Sequence, residues 1–89
     1  MENYYWLYVL KSVATQRHYI GISSNSHKRL DQHNGGKVRS TKSYRPWKLI
    51  YAQEFSTKKE ARQREIFLKK TARARKELFD SIGRTGPIV

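Results

Sequence analysis

The fold is decided by two short segments, YYWLYVL at residues 4–10 and HYIGI at residues 18–22. Both are rich in aromatic and β-branched residues, which is typical of β-strands. The stretch between them, Ser12 to Arg17, is short and polar and therefore predicts a turn. Together the two segments predict a β-hairpin.

The rest of the chain carries helix and strand signals in alternation. Ser24-Asn25-Ser26 offers N-cap oxygens for a helix from about His27 to Asn34, which Gly35-Gly36 can end in the left-handed conformation. A third strand is predicted over Trp47 to Phe55. The overall prediction is an α/β chain of the α+β type, a small three-stranded antiparallel sheet flanked by about three helices in the order β-β-α-β-α-α.

The last two helices are predicted from their boundaries. Thr57 and Glu60 have the spacing of a capping box, so the second helix begins there and runs to about Lys70. A third, short helix is expected over about Arg73 to Ser81. We expect residues 1–82 to form one domain and residues 83–89, which include Gly86-Pro87, to form a flexible C-terminal tail.

Charge is the strongest signal in the composition. Nineteen Lys and Arg residues against seven Asp and Glu residues, in a chain of 89, give a net charge of +12. A field of this strength attracts polyanions and speeds their encounter, so nucleic acid is the expected partner. No apolar run reaches the roughly 18 residues that would suggest a membrane span. The chain has no cysteine, which excludes disulfides and thiolate metal sites. No secretory signal is visible, and we expect a cytoplasmic protein.

Two helices carry candidate site residues. Arg29 and His33 are four residues apart and so share one face of the first helix. On the second helix, Glu65 falls on a narrow stripe with Ala61, Leu68 and Ala72. A carboxylate on a small, apolar face needs a cationic partner, either an arginine or a metal ion, because burying it unpaired costs several kcal/mol.

The candidate site residues and the hairpin tyrosines follow one another in a fixed order along the chain: Tyr8, Tyr19-Ile20-Gly21, Arg29, His33 and Glu65. The set resembles the GIY-YIG nuclease domain, with Trp6-Leu7-Tyr8 standing where Gly-Ile-Tyr would be. The resemblance covers Tyr4 to about Phe79 and is strongest to small stand-alone bacterial GIY-YIG proteins of the uncharacterised UPF0213-like type. It implies that residues 1–82 form a GIY-YIG nuclease-like domain.

The resemblance also implies a catalytic set: Tyr8, Tyr19, Arg29, His33 and Glu65. Glu65 would hold one divalent cation, with Mg2+ the expected ion, and Tyr8 or Tyr19 with His33 would deprotonate the attacking water. The residue types alone leave other roles open. The tyrosines suit core packing, Glu65 suits a structural ion pair, and His33 suits a cation favoured at a helix end.

A second set of residues is predicted to contact nucleic acid. The stretch 37–48 interleaves cations with hydroxyls and aromatics, which suits phosphate contacts and base stacking, although Trp47 equally suits a core anchor. Gly21 fits a position where a side chain would block close approach of the phosphate backbone, and a strand-end bulge explains a glycine there about as well. The predicted set is Gly21, Lys37, Arg39, Lys42, Arg45, Lys48, Lys69, Lys70 and Arg73.

Two functions follow from these features. The first is a metal-dependent endonuclease that hydrolyses phosphodiester bonds in repair or recombination, with DNA favoured over RNA. The second is a non-catalytic nucleic-acid-binding module with a degenerate GIY-YIG site. Intact Tyr8, Tyr19, Arg29, His33 and Glu65 favour the first. The second is favoured because no asparagine occurs between Ile66 and Asp80, where many family members have one.

Overall fold

The two segments at the start of the chain do form a hairpin, and its first strand is the centre of a three-stranded antiparallel sheet. The structure is a computed structural model that describes residues 4–85. The predicted order of elements and the α+β fold are confirmed. The elements are β1 (Tyr5–Ser12), β2 (His18–Ser23), α1 (Ser26–Asn34), β3 (Trp47–Phe55), α2 (Lys58–Lys70) and α3 (Ala72–Thr85), with a 3-10 turn at Lys42–Tyr44.

The strand register places the two motif tyrosines close together. β1 pairs with β2 so that Tyr8 lies opposite Gly21 and Leu10 lies opposite Tyr19. Because side chains alternate between the two faces of a strand, Tyr8, Leu10 and Tyr19 share one face. On its other edge β1 pairs with β3, and a register shift occurs between Val9 and Leu10.

Each face of the sheet has its own hydrophobic cluster. On the face covered by α1, Tyr8, Leu10, Trp47 and Leu49 are buried, with Leu30 of α1 packed against them. On the opposite face, buried strand residues meet α2 and α3, through Leu68 and Ile82. Burying a Leu or Ile side chain stabilises a fold by about 1.5–3 kcal/mol, so these clusters fix the helices against the sheet.

The helix boundaries follow the caps that the sequence predicts. The Asn25 side chain accepts a hydrogen bond from the backbone N–H of Lys28 and so caps α1. After α1, Gly36 has a φ of +76°, a conformation that glycine adopts without strain. Thr57 caps α2 by accepting from the N–H of Glu60 at 3.2 Å. Both predicted helix starts are therefore confirmed to within a residue.

Two expectations about the C-terminal part were wrong. The helix α3 continues to Thr85, so residues 83–85 are helical and do not belong to a tail; residues 86–89 lie outside the described part of the chain. Ala72, expected on the α2 stripe, is the exposed first residue of α3, because α2 ends before Thr71. None of the helices between residues 4 and 85 combines the length and the apolar character of a membrane span.

Candidate active site

A cleft of about 480 Å³ lies where the hairpin, α1 and α2 meet. We call it the tyrosine cleft, because Tyr8 and Tyr19 form part of its wall. Arg29 of α1 and Glu65 of α2 also line it. The structure thus brings together residues that are separated by up to 57 positions in the sequence. His33, the remaining member of the predicted catalytic set, lies beneath the cleft and contacts Tyr8.

A chain of hydrogen bonds runs from the cleft into the protein. The Tyr8 hydroxyl lies 3.1 Å from Nε2 of His33, and Nδ1 of the same ring lies 2.8 Å from Oγ1 of Thr41. The Thr41 hydroxyl donates to the Val38 carbonyl at 3.3 Å. Thr41 Oγ1 is therefore the acceptor for the His33 Nδ1–H, which leaves Nε2 as an acceptor for the Tyr8 hydroxyl proton.

Burial keeps both members of this pair neutral. Removal from solvent, with a smaller contribution from Tyr19, raises the pKa of Tyr8 to about 12, although the Arg29 guanidinium opposes the rise. Burial and the nearby charge of Arg29 lower the pKa of His33 to about 4. At neutral pH His33 is therefore an uncharged acceptor and not the helix-end cation that its position also suggested.

Gly21 is required by the tyrosines. A Cβ atom at this position would lie 2.6 Å from the Tyr8 hydroxyl oxygen and 2.9 Å from Cε1 of Tyr19. These separations are too short for any side chain. Gly21 is buried, and Tyr8 fills the space that its missing side chain leaves, which gives a packing reason for this glycine.

Tyr19 contributes a second ring beside the hydrogen-bond chain. Its ring centroid lies 6.2 Å from that of Tyr8 and 4.7 Å from that of His33. Arg29, half-buried at the same wall, donates a hydrogen bond of 2.7 Å to the side chain of Gln32. Gln32 therefore orients the guanidinium, which as a fixed planar cation suits contact with phosphoryl oxygens.

Glu65 supplies the carboxylate of the tyrosine cleft. Its side chain is 16% exposed and forms an ion pair with Lys69, one turn further along α2, at 3.0 Å. The structural ion pair that the sequence left open is thus present. No group of three or more His, Cys, Asp or Glu side chains that could hold a metal occurs in the described part of the chain.

The donor set at Glu65 nevertheless fits one kind of metal ion. Mg2+ keeps several of its water ligands and is usually held by one or two carboxylates together with substrate phosphates. A single carboxylate beside an open, polar cleft meets that requirement. A soft or thiolate-preferring metal is not served by these oxygens.

The structure adds three candidate functional residues that the sequence analysis did not identify. Lys58 and Arg62 line the tyrosine cleft. They lie seven and three residues before Glu65, a helical spacing that places all three on one side of α2, and this was the available signal. Thr41 holds His33 across a loop, and no local pattern marks it.

The predicted nucleic-acid contacts mostly lie elsewhere. Of that set, Gly21 alone lines the tyrosine cleft. Some of the cations are engaged within the protein: Arg45 Nε donates to the Lys42 carbonyl at 2.8 Å, and Arg73 pairs with Glu77 at 3.4 Å. Trp47 is buried, and its indole N–H donates to the Thr41 carbonyl, so it is the core anchor. The other six cations of the set are exposed, and one of them, Lys69, pairs with Glu65: Lys37, Arg39, Lys42, Lys48, Lys69 and Lys70.

Comparison with known proteins gives matches over most of the chain. The family model of the GIY-YIG catalytic domain matches residues 4–78. The UPF0213 protein YazA of Bacillus subtilis is 44% identical over 78 residues, covering 86% of this chain and 78% of that protein. A UPF0213 protein of Streptococcus pneumoniae is 40% identical over 80 residues, covering 89% and 80% respectively.

A solved structure agrees in fold. The solution NMR structure of the UPF0213 protein BH0048 from Bacillus halodurans has a TM-score of 0.55 to this chain at 26% sequence identity. The alignment covers 89% of this chain and 84% of that one. These matches span the same region as the resemblance found in the sequence, from the first strand to the last helix.

Proposed function

Because the chain belongs to the GIY-YIG family, a nuclease superfamily, we propose that it is a metal-dependent endonuclease that hydrolyses phosphodiester bonds of DNA in repair or recombination. The observation that carries the proposal is the convergence of Tyr8, Arg29 and Glu65 on one cleft, with a buried, neutral His33 behind the Tyr8 hydroxyl. A buried tyrosine hydroxyl takes a hydrogen-bond partner even where the ring only packs, so the weight lies on the cation and the carboxylate that share the cleft with Tyr8.

The proposed role of Tyr8 is to take a proton from the attacking water. Its pKa of about 12 makes free phenolate rare at neutral pH, so Tyr8 must give up its own proton as it receives another. His33 Nε2 lies 3.1 Å away and accepts that proton; the lowered pKa of His33 makes this transfer uphill, so the proton moves only together with the attack of water on phosphorus. Thr41 holds Nδ1 on the far side of the ring, which fixes the orientation of the acceptor during the transfer.

The other residues act on the phosphate. As the water oxygen forms its bond to phosphorus, the bond to the leaving oxygen breaks and negative charge gathers on the phosphoryl oxygens. Arg29 meets that charge, and Lys58 and Arg62 hold neighbouring phosphates at the cleft. Glu65 would hold a divalent cation, for which Mg2+ is the proposed ion, and that ion would supply polarisation of the phosphoryl group and stabilisation of the leaving oxygen.

One observation favours the second function, a nucleic-acid-binding module without catalysis. The ion pair with Lys69 already compensates the charge of Glu65, so the carboxylate has a structural role without a metal. The two functions share the same basic surface and differ only in whether the bond is cut.

The test is a cleavage panel. Labelled single-stranded, duplex, nicked and branched DNA, and RNA, are incubated with Mg2+ or with EDTA, using the wild type and Glu65→Ala. Cutting that needs Mg2+ and is lost in Glu65→Ala supports the endonuclease and identifies its substrate. Binding to nucleic acid without cleavage of any substrate would reject the endonuclease in favour of the non-catalytic binding module.

A further inference from the structure

A second cleft lies beside the tyrosine cleft, and no catalytic role accounts for it. Its volume is about 520 Å³, and we call it the His18 cleft. Cationic and aromatic side chains dominate its wall, and none of the described residues that line it is acidic. These side chains are Arg17, Lys69 and Arg75 together with His18, Tyr19 and Phe79.

The two clefts adjoin each other. Tyr19 is part of the wall of both. Lys69 lines the His18 cleft and reaches Glu65 of the tyrosine cleft at 3.0 Å. A nucleic-acid strand with its scissile phosphate at Glu65 would therefore reach the His18 cleft by passing over Tyr19 and Lys69.

An aromatic platform stands in the His18 cleft. The rings of His18 and Phe79 are stacked, with centroids 4.1 Å apart and planes 13° from parallel. Phe79 is half-buried against the hydrophobic core, whereas His18 is exposed. Partial removal from solvent, with the charge of Lys11, lowers the pKa of His18. The imidazole is thus a neutral ring, held flat by Phe79, to which another flat group can be added.

The cations around this platform are partly held in place. Arg75 donates from one guanidinium nitrogen to the carbonyls of Leu68 and Lys69, both at 3.0 Å, which anchors it at the end of α2. Arg17 lies over the ring of Tyr44, with its guanidinium carbon 4.4 Å from the centroid. Positive charges next to a neutral ring match the alternation of phosphate and base along a nucleic-acid strand.

We propose that the His18 cleft binds an unpaired stretch of the strand that flanks the scissile phosphate. Arg17, Lys69 and Arg75 contact its phosphates, and a base stacks on His18. The strand must be unpaired there, because a base inside a duplex already has both faces covered by its neighbours. This inference rests on the proposed endonuclease and narrows its substrate to single strands, flaps or frayed ends.

Binding in EDTA tests the inference separately from cleavage. The probes are a labelled oligothymidylate of about 12 nucleotides and a duplex of the same length. Fluorescence anisotropy is measured for the wild type, Arg17→Ala, His18→Ala and His18→Phe. The control is Lys59→Ala, which removes one exposed cation of α2 that lines neither cleft. Thermal unfolding of each variant confirms that it is folded.

The expected result separates stacking from charge. His18→Ala weakens single-strand binding by about fivefold or more, and His18→Phe restores it. The duplex is little affected by either change. Arg17→Ala lowers affinity and reduces the log-log salt slope for the single strand by about 0.7, more than Lys59→Ala does.

Two outcomes would overturn the inference: unchanged single-strand affinity in His18→Ala, or an equal loss for single strand and duplex. Neither outcome depends on catalysis. If the protein cuts nothing but His18→Ala still loses single-strand affinity selectively, the endonuclease fails and the binding cleft stands. If it cuts duplex DNA and His18→Ala binds normally, the cleft fails and the endonuclease stands.

Discussion

The roles of individual residues depend on pairs that are far apart in the chain. Gly21 illustrates this, because the Tyr8 hydroxyl lies in the space where a Cβ would be, and the sequence alone does not show that packing constraint. Tyr8, Tyr19, Arg29 and Glu65 could be selected from the sequence because their order resembles a family motif. Thr41 could not, since its partner His33 is identified only by the three-dimensional contact of 2.8 Å.

Thr41 offers a test of the hydrogen-bond chain. In Thr41→Val the shape is kept but His33 Nδ1–H loses its acceptor, so the ring can rotate or change tautomer. We expect cleavage to fall about tenfold or more with substrate affinity unchanged. Nitrogen NMR of His33 should show the altered tautomer. Thr41→Ser should restore both the cleavage rate and the original tautomer. A normal tautomer and a normal rate in Thr41→Val would remove Thr41 from the positioning of His33.

His33 makes stability depend on pH. Its pKa is 6.5 when exposed and about 4 in the fold, so the unfolded chain binds more protons between these values. Stability is therefore complete above pH 6.5 and falls as the pH drops towards 4, by up to about 3 kcal/mol. Urea unfolding across this range, with His33→Gln as the comparison, measures the effect. A similar loss in His33→Gln would show that His33 is not its origin.

At the scale of elements, local signals predicted most of the fold. The aromatic and β-branched strands and the caps at Asn25 and Thr57 act over a few residues, so their positions followed from the sequence. The end of α3 did not, because Gly83 suggests a helix end whereas the buried Ile82 holds this turn against the core. Which strand residues share each apolar face of the sheet could not be predicted either, because that depends on the strand register, including the shift after Val9.

Three of the charged side chains that line the tyrosine cleft come from α2, so the cleft-facing side of this helix is expected to bind DNA. Lys58 and Arg62 line the cleft with Glu65, so Lys58→Ala and Arg62→Ala should weaken DNA binding by several-fold each. Lys59→Ala is the matched control, because Lys59 is an exposed cation next to Lys58 that does not line the cleft. Filter binding in EDTA gives the comparison. Equal losses for all three variants would mean that overall charge, and not the cleft, determines binding.

At the scale of the whole molecule, the net charge of +12 governs association. A complex with about five phosphate contacts should lose affinity with a log-log salt slope of about −4 to −5 on duplex DNA. Titration of DNA at several salt concentrations measures that slope. A flat response would reject the electrostatic account of binding, whichever residues make the contacts.

The central claim is that Tyr8 transfers a proton to His33 while water attacks the phosphate, and Tyr8→Phe tests it most directly. This change keeps the buried ring, so the fold and DNA binding should be retained, although the unpaired His33 Nε2 lowers stability by about 1–3 kcal/mol. The measurement is single-turnover cleavage in Mg2+ of the substrate that the panel identifies, with binding followed in parallel in EDTA. We predict normal DNA binding and a cleavage rate at least about 100-fold below that of the wild type. Cleavage by Tyr8→Phe at the wild-type rate would contradict the proposed mechanism.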